Sequence, residues 1–192
     1  MFAVPTRVAL AAALAAGAAL ALPTAAAAAP KQPCAVGKWK LTQYKLDSRS
    51  EGYTAKAKGG EGTRLTITKK TVTYDFNRSK KVVTKGVLEG EAYSVTSVFR
   101  KTLKMKSTLR GNKKGGILLN VQSASGNAKV AETANGKYLG SHSIVKTYRK
   151  GETDPFIPPA AFFTCGAKTL KLVLEADGGD STLDAVYVYK RG

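Results

Sequence analysis

Strict alternation of apolar and polar residues dominates the chain after its first third. Leu65 and Ile67 alternate with Thr66 and Thr68, and Val72, Tyr74 and Phe76 with Thr71, Thr73 and Asp75. Tyr93, Val95, Ser97 and Phe99 share one face, with Ser94 and Thr96 on the other. Leu103 and Met105 oppose Lys104 and Lys106, and Ile144 and Tyr148 oppose Val145 and Thr147. Ile117, Leu119 and Val121, then Leu170, Leu172 and Leu174, then Leu183, Ala185, Tyr187 and Tyr189 repeat the pattern. A period of two sends successive side chains to opposite faces of an extended strand, and no long helix can use it. Turn residues punctuate these runs at Asn77, Gly111-Asn112, Ser125-Gly126-Asn127, Asn135-Gly136 and Asp177-Gly178-Gly179-Asp180. Eight to ten strands so spaced predict an all-β antiparallel sandwich or barrel. Three stretches resist a strand reading. Residues 46–61 read as a long polar loop, 113–116 as a basic turn, and the proline-broken 154–165 as an irregular arm or a single helical turn after Pro159.

The first 29 residues have a different grammar. Arg7 precedes an apolar run at 8–22, Pro23-Thr24 breaks it, and Ala25 to Ala29 are small. These are the three parts of a secretory signal peptide, cleaved after Ala27, Ala28 or Ala29. The run is short for a membrane span of about 20 residues. The expected division is therefore a signal peptide over 1–29 and one domain over 30–192, secreted and with no transmembrane segment in the mature chain. Two cysteines, Cys34 and Cys165, in an exported chain read as one disulfide.

Cys34 is soon followed by Gly37-Lys38-Trp39, and the late run Pro158-Pro159-Ala160-Ala161-Phe162-Phe163-Thr164-Cys165-Gly166 precedes a strand. The Gly-x-Trp at the start of the first strand resembles the opening of lipocalin and calycin barrels. Together with the late cysteine it is similar to secreted bacterial lipocalin-like (calycin-type) β-barrel proteins. The resemblance implies an antiparallel up-and-down β-barrel of about 8–10 strands, with Trp39 packed over the closed end. It also implies Cys34 pairing with Cys165. Fold alone does not fix function.

The chain carries 31 Lys and Arg against 13 Asp and Glu, a net charge of +18 that becomes +17 without Arg7. Between positions 64 and 150 the excess is +15, and after position 150 it is −2. Such a field draws anionic partners at long range. The aromatic residues alternate inward, away from the basic positions, which weighs against the base-stacking surface of a nucleic-acid binder.

Catalytic and metal chemistry find little support. His142 is the sole histidine and is read as a polar barrel residue, and no Gly-x-Ser-x-Gly elbow or metal-spaced Cys/His set occurs. No catalytic residue, metal or cofactor is expected. The leading expectation is a non-catalytic protein that binds a small apolar or amphipathic ligand, with Trp39, Leu65, Ile67, Tyr74, Tyr93, Phe99, Met105 and Tyr187 as the candidate lining. The alternative is a cationic envelope protein that binds an anionic extracellular polymer such as teichoic acid through Lys104, Lys106, Lys113 and Lys114. Neither pattern specifies an oligomeric state.

Overall fold

The computed structural model describes residues 32–192. The expected signal peptide lies outside the described residues. In chain order the strands are β1 (Gly37–Ser50), β2 (Tyr53–Gly59), β3 (Arg64–Ile67), β4 (Thr71–Asp75), β5 (Val82–Leu88) and β6 (Glu91–Arg100). Then follow β7 (Thr102–Gly111), β8 (Lys114–Gly126), β9 (Lys129–Ala134), β10 (Lys137–Ser143) and one helix, α1 (Ile144–Arg149). β11 (Ala160–Cys165), β12 (Thr169–Asp177) and β13 (Thr182–Arg191) complete the described chain.

Eight of these strands close an antiparallel barrel in the order β1-β13-β12-β11-β8-β7-β4-β3, with β3 returning to β1. This is an all-β closed barrel, compatible with a calycin-like fold. The other five strands form a wing, β2-β5-β6-β9-β10, that grows from the far half of β1. β1 belongs to both. Its residues 37–40 pair with β3 and its residues 45–50 pair with β2. At 14 residues it is roughly 48 Å long, beyond the usual strand, and twist over that length separates its two halves. A register shift against β13 between Leu41 and Gln43 marks the fork.

The fork needs glycine. Gly60, where the chain leaves β2 for β3, has φ of +73°, and a Cβ there would lie 2.3 Å from the Phe156 ring. The missing side chain therefore lets Phe156 enter between barrel and wing. There its ring stands edge-on to Tyr44 at 5.0 Å and tilts against Phe99 at 4.8 Å.

The barrel interior is filled by its own side chains, as a barrel of eight strands allows. Trp39, Leu41, Leu65, Ile67, Val72, Tyr74, Leu103, Met105, Leu170, Leu172, Tyr187 and Tyr189 are all buried. At the floor, Trp39 donates its indole N–H to the Ala35 carbonyl at 2.8 Å. The Arg191 guanidinium covers its other side, 4.2 Å from the ring centroid. Arg191 also donates to the carbonyls of Ala167 and Cys34 at 3.0 and 3.3 Å. Gly37 makes room for this arrangement: its φ is +147°, and a Cβ would sit 2.6 Å from the guanidinium. The Gly-x-Trp spacing thus has a local cause in the approach of an arginine from the last strand. Cys34 and Cys165 are disulfide-bonded beside this floor, with Cα atoms 6.0 Å apart.

Three local readings of the sequence are corrected here. Residues 46–61 are not a loop; they hold the end of β1 and all of β2, a hairpin with alanines inside and lysines outside. Ile144 and Tyr148 lie on α1, where positions 144, 145 and 148 form a buried stripe and Ser143 caps the first turn. Residues 160–165 are a strand, β11, and the irregular arm ends at Pro159.

Candidate functional site

A cleft of about 270 Å³ opens where the inward face of the wing meets the arm at residues 154–156. β6 supplies Tyr93, Val95, Ser97 and Phe99, the run whose alternation is plain in the sequence. β1 and β2 add Tyr44, Leu46, Tyr53, Ala55 and Ala57, β9 adds Glu132, and the arm adds Asp154, Pro155 and Phe156. The alanines keep the floor low. Tyr93 lies across Gly86, its register partner on β5, where any Cβ would come within 2.9 Å of the ring. Its hydroxyl donates to the Thr54 carbonyl at 3.3 Å, and its ring stacks on Tyr53 at 6.1 Å and 16°. Burial, and then Tyr53, push the Tyr93 phenol up to about 12, so it remains a donor at every physiological pH.

Two carboxyl groups converge on this aromatic surface. Ser97 donates to Glu132 at 3.2 Å. Asp154 accepts from the Phe156 backbone N–H at 2.7 Å. Among the described residues the ion pairs are those of Asp47, so neither cleft carboxylate has a cation bridged to it. Burial raises Asp154 from 3.8 to about 6; the Phe156 N–H opposes the rise, Glu132 adds to it, and His142 opposes it. His142 stands on β10, paired with Val130 of β9, and so belongs to the wing and not to the barrel.

The arm is held rigidly. Tyr148 donates to the Ile157 carbonyl at 2.6 Å and accepts from the Asp154 N–H at 3.0 Å. Tyr187 donates to the Pro155 carbonyl. Two buried tyrosines thus fix the backbone that carries Asp154.

Of the eight expected lining residues, Tyr93 and Phe99 lie in this cleft. Trp39, Leu65, Ile67, Tyr74, Met105 and Tyr187 lie in the packed barrel interior. Lys104 and Lys106 point outward on β7, opposite Thr73 and Thr71 of β4. Lys113 and Lys114 are exposed at the β7–β8 turn, and roughly 17 Å of strand separates Lys106 from Gly111, so the four do not form one patch. The sequence reading missed Tyr44, Tyr53, Glu132, Asp154 and Phe156. A signal existed for the acids. Glu132 is one of four acidic residues against 19 basic ones between positions 64 and 150, and Asp154 begins an apolar, proline-rich segment.

Among the described residues no group of three or more His, Cys, Asp or Glu is placed to hold a metal ion. No helix of the described residues is long and apolar enough to cross a membrane. No protein-family model, curated protein or solved structure matches this chain.

Proposed function

We propose that this is a secreted, lipocalin-like, non-catalytic binding protein that takes a small amphipathic ligand in the cleft between wing and arm. The ligand pairs an aromatic or compact apolar body with a positively charged end. One observation carries this reading: two carboxyl groups without a bridged cation sit over a floor of tyrosine and phenylalanine in a strongly basic protein. A cation supplied by a ligand removes the electrostatic cost of that pair and gains further from the ring faces of Tyr53 and Tyr93. The lipocalin-like assignment is supported by the closed eight-stranded barrel and by Trp39 beneath Arg191. Secretion is supported by the leader pattern at 1–29 and by the disulfide.

Calorimetric titration of phenethylamine against 2-phenylethanol tests the reading, since the two differ in the charged end. The amine is expected to bind at least about tenfold more tightly, as one charge-assisted contact worth roughly 1.5 kcal/mol requires. Glu132→Gln is expected to remove most of that preference. Equal affinity for the two probes, or a variant with unchanged preference, refutes it.

A further inference from the structure

The outward face of the wing has the opposite character from the cleft. A trough of about 780 Å³ runs over β13, β1, β2 and β5. Val83 and Val87 of β5 and Val186 of β13 contribute apolar surface, and Lys45, Lys56, Lys58 and Lys85 line it. The register sets these lysines against one another: Lys45 faces Lys58 across β1 and β2, and Lys56 faces Lys85 across β2 and β5. Like charges directly opposite on neighbouring strands destabilise a sheet, and of these four lysines only Lys56 is bridged to an acid among the described residues. The acids of the face continue the Lys56–Lys85 row onto β1 and β13, where Asp47 faces Lys56 on one side and Asp184 on the other. Asp47 is engaged by Arg49 at 3.1 Å and Lys56 at 3.6 Å. Lys45, Lys58 and Lys85 have no acidic partner among the described residues.

We infer that this trough is a second binding site, for a free single-chain amphiphilic anion. The anionic head sits among Lys45, Lys58 and Lys85, and the aliphatic chain lies against the valines that border them, Val83 and Val87 on either side of Lys85 and Val186 beside Lys45. Charge complementarity selects the head, because an anion there supplies the counter-charge that Lys45, Lys58 and Lys85 lack. The valines select the tail. A purely ionic polymer gains nothing from an aliphatic floor, and one running across the sheet along the Lys85–Lys56 row would meet Asp47 and Asp184. The volume lies within the range of sites for small organic ligands. The occupant is thus opposite in charge to that of the cleft, on the other side of the same strands, and the two readings stand or fall separately.

Calorimetry with decanoate, decanol and heparin tests this on the full mature chain. Decanoate is expected to bind once per chain, at least tenfold more tightly than decanol, with a shallow dependence on salt. Lys58→Gln with Lys85→Gln should weaken it at least tenfold. Lys104→Gln with Lys106→Gln removes the same charge from the outside of the barrel and should change affinity by less than twofold. Glu132→Gln, in the cleft, should leave it unchanged. The inference is overturned if decanol binds as well as decanoate, or if both lysine double variants lose affinity equally. It is also overturned if heparin binds with steep salt dependence where decanoate does not, or if the chain binds only vesicles containing anionic lipid.

Discussion

Asp154→Asn should make the protein more stable at neutral pH and leave it nearly unchanged in acid. The folded-state carboxyl titrates at about 6 against 3.8 for the ordinary group, mainly because it is buried. A carboxyl raised in this way favours the folded state while protonated. Its contribution is full below about pH 3.8 and is lost as pH rises through about 6. The shift of roughly two pH units corresponds to about 3 kcal/mol at 1.36 kcal/mol per unit, and partial contact with water lowers this to about 1–3 kcal/mol. Asparagine keeps an oxygen for the Phe156 N–H, which approaches at 2.7 Å, so the arm retains its turn while the charge is gone. Glu132 and His142 remain in both proteins, and the difference between variant and wild type cancels the other carboxylates of the chain. Urea unfolding of the two proteins at pH 4.0 and 7.5 reads the effect. The variant should gain about 1–3 kcal/mol over wild type at pH 7.5 and less than about 0.5 kcal/mol at pH 4.0. Parallel pH profiles, or a variant less stable at pH 7.5, would refute the claim that the cleft holds a costly, uncompensated carboxylate.

Gly60→Ala should cost about 2–4 kcal/mol, because it forces a left-handed backbone on alanine and drives its methyl into the Phe156 ring; an unchanged melting temperature would show that the fork tolerates a wider opening. Reducing and alkylating the Cys34–Cys165 bond releases a closure spanning 131 residues, which chain entropy values at up to roughly 4–5 kcal/mol. Scanning calorimetry of the reduced protein should show a loss of several degrees, and coincident traces would place the bond outside the stability of the domain.

The barrel was legible because its strands present large side chains inward. Leu65-Ile67, Val72-Tyr74 and Leu103-Met105 carry the alternation in residues that no other pattern uses. β2 was not legible, because its inward residues are Ala55 and Ala57, too small to stand out between Lys56 and Lys58. They floor the cleft, in the company of Tyr44 and Tyr93. α1 misled for the opposite reason. Positions 144 and 148 alone share a strand face as readily as a helix face, and only the burial of 145 beside 144 separates the two periods in a segment of six residues. The cleft was half legible. Tyr93 and Phe99 announce an inward face, but Asp154 reaches them only through the fork of β1, and local pattern does not record which distant strands will pair.

The double membership of β1 also sets the order in which the molecule can form. Leu41 pairs with Tyr189, 148 positions downstream. The wing's first hairpin, β1 with β2, closes over a gap of two residues and can assemble early. The barrel cannot close until β13 has been made, so an incomplete chain holds β1 from Trp39 to Arg49 without a partner on that side. Contacts this remote slow folding, since loop closure must precede any gain from pairing. A chain built this way stays pliable until its end is available. The strand that supports the cleft therefore waits along nearly its whole length for the last strand of the chain.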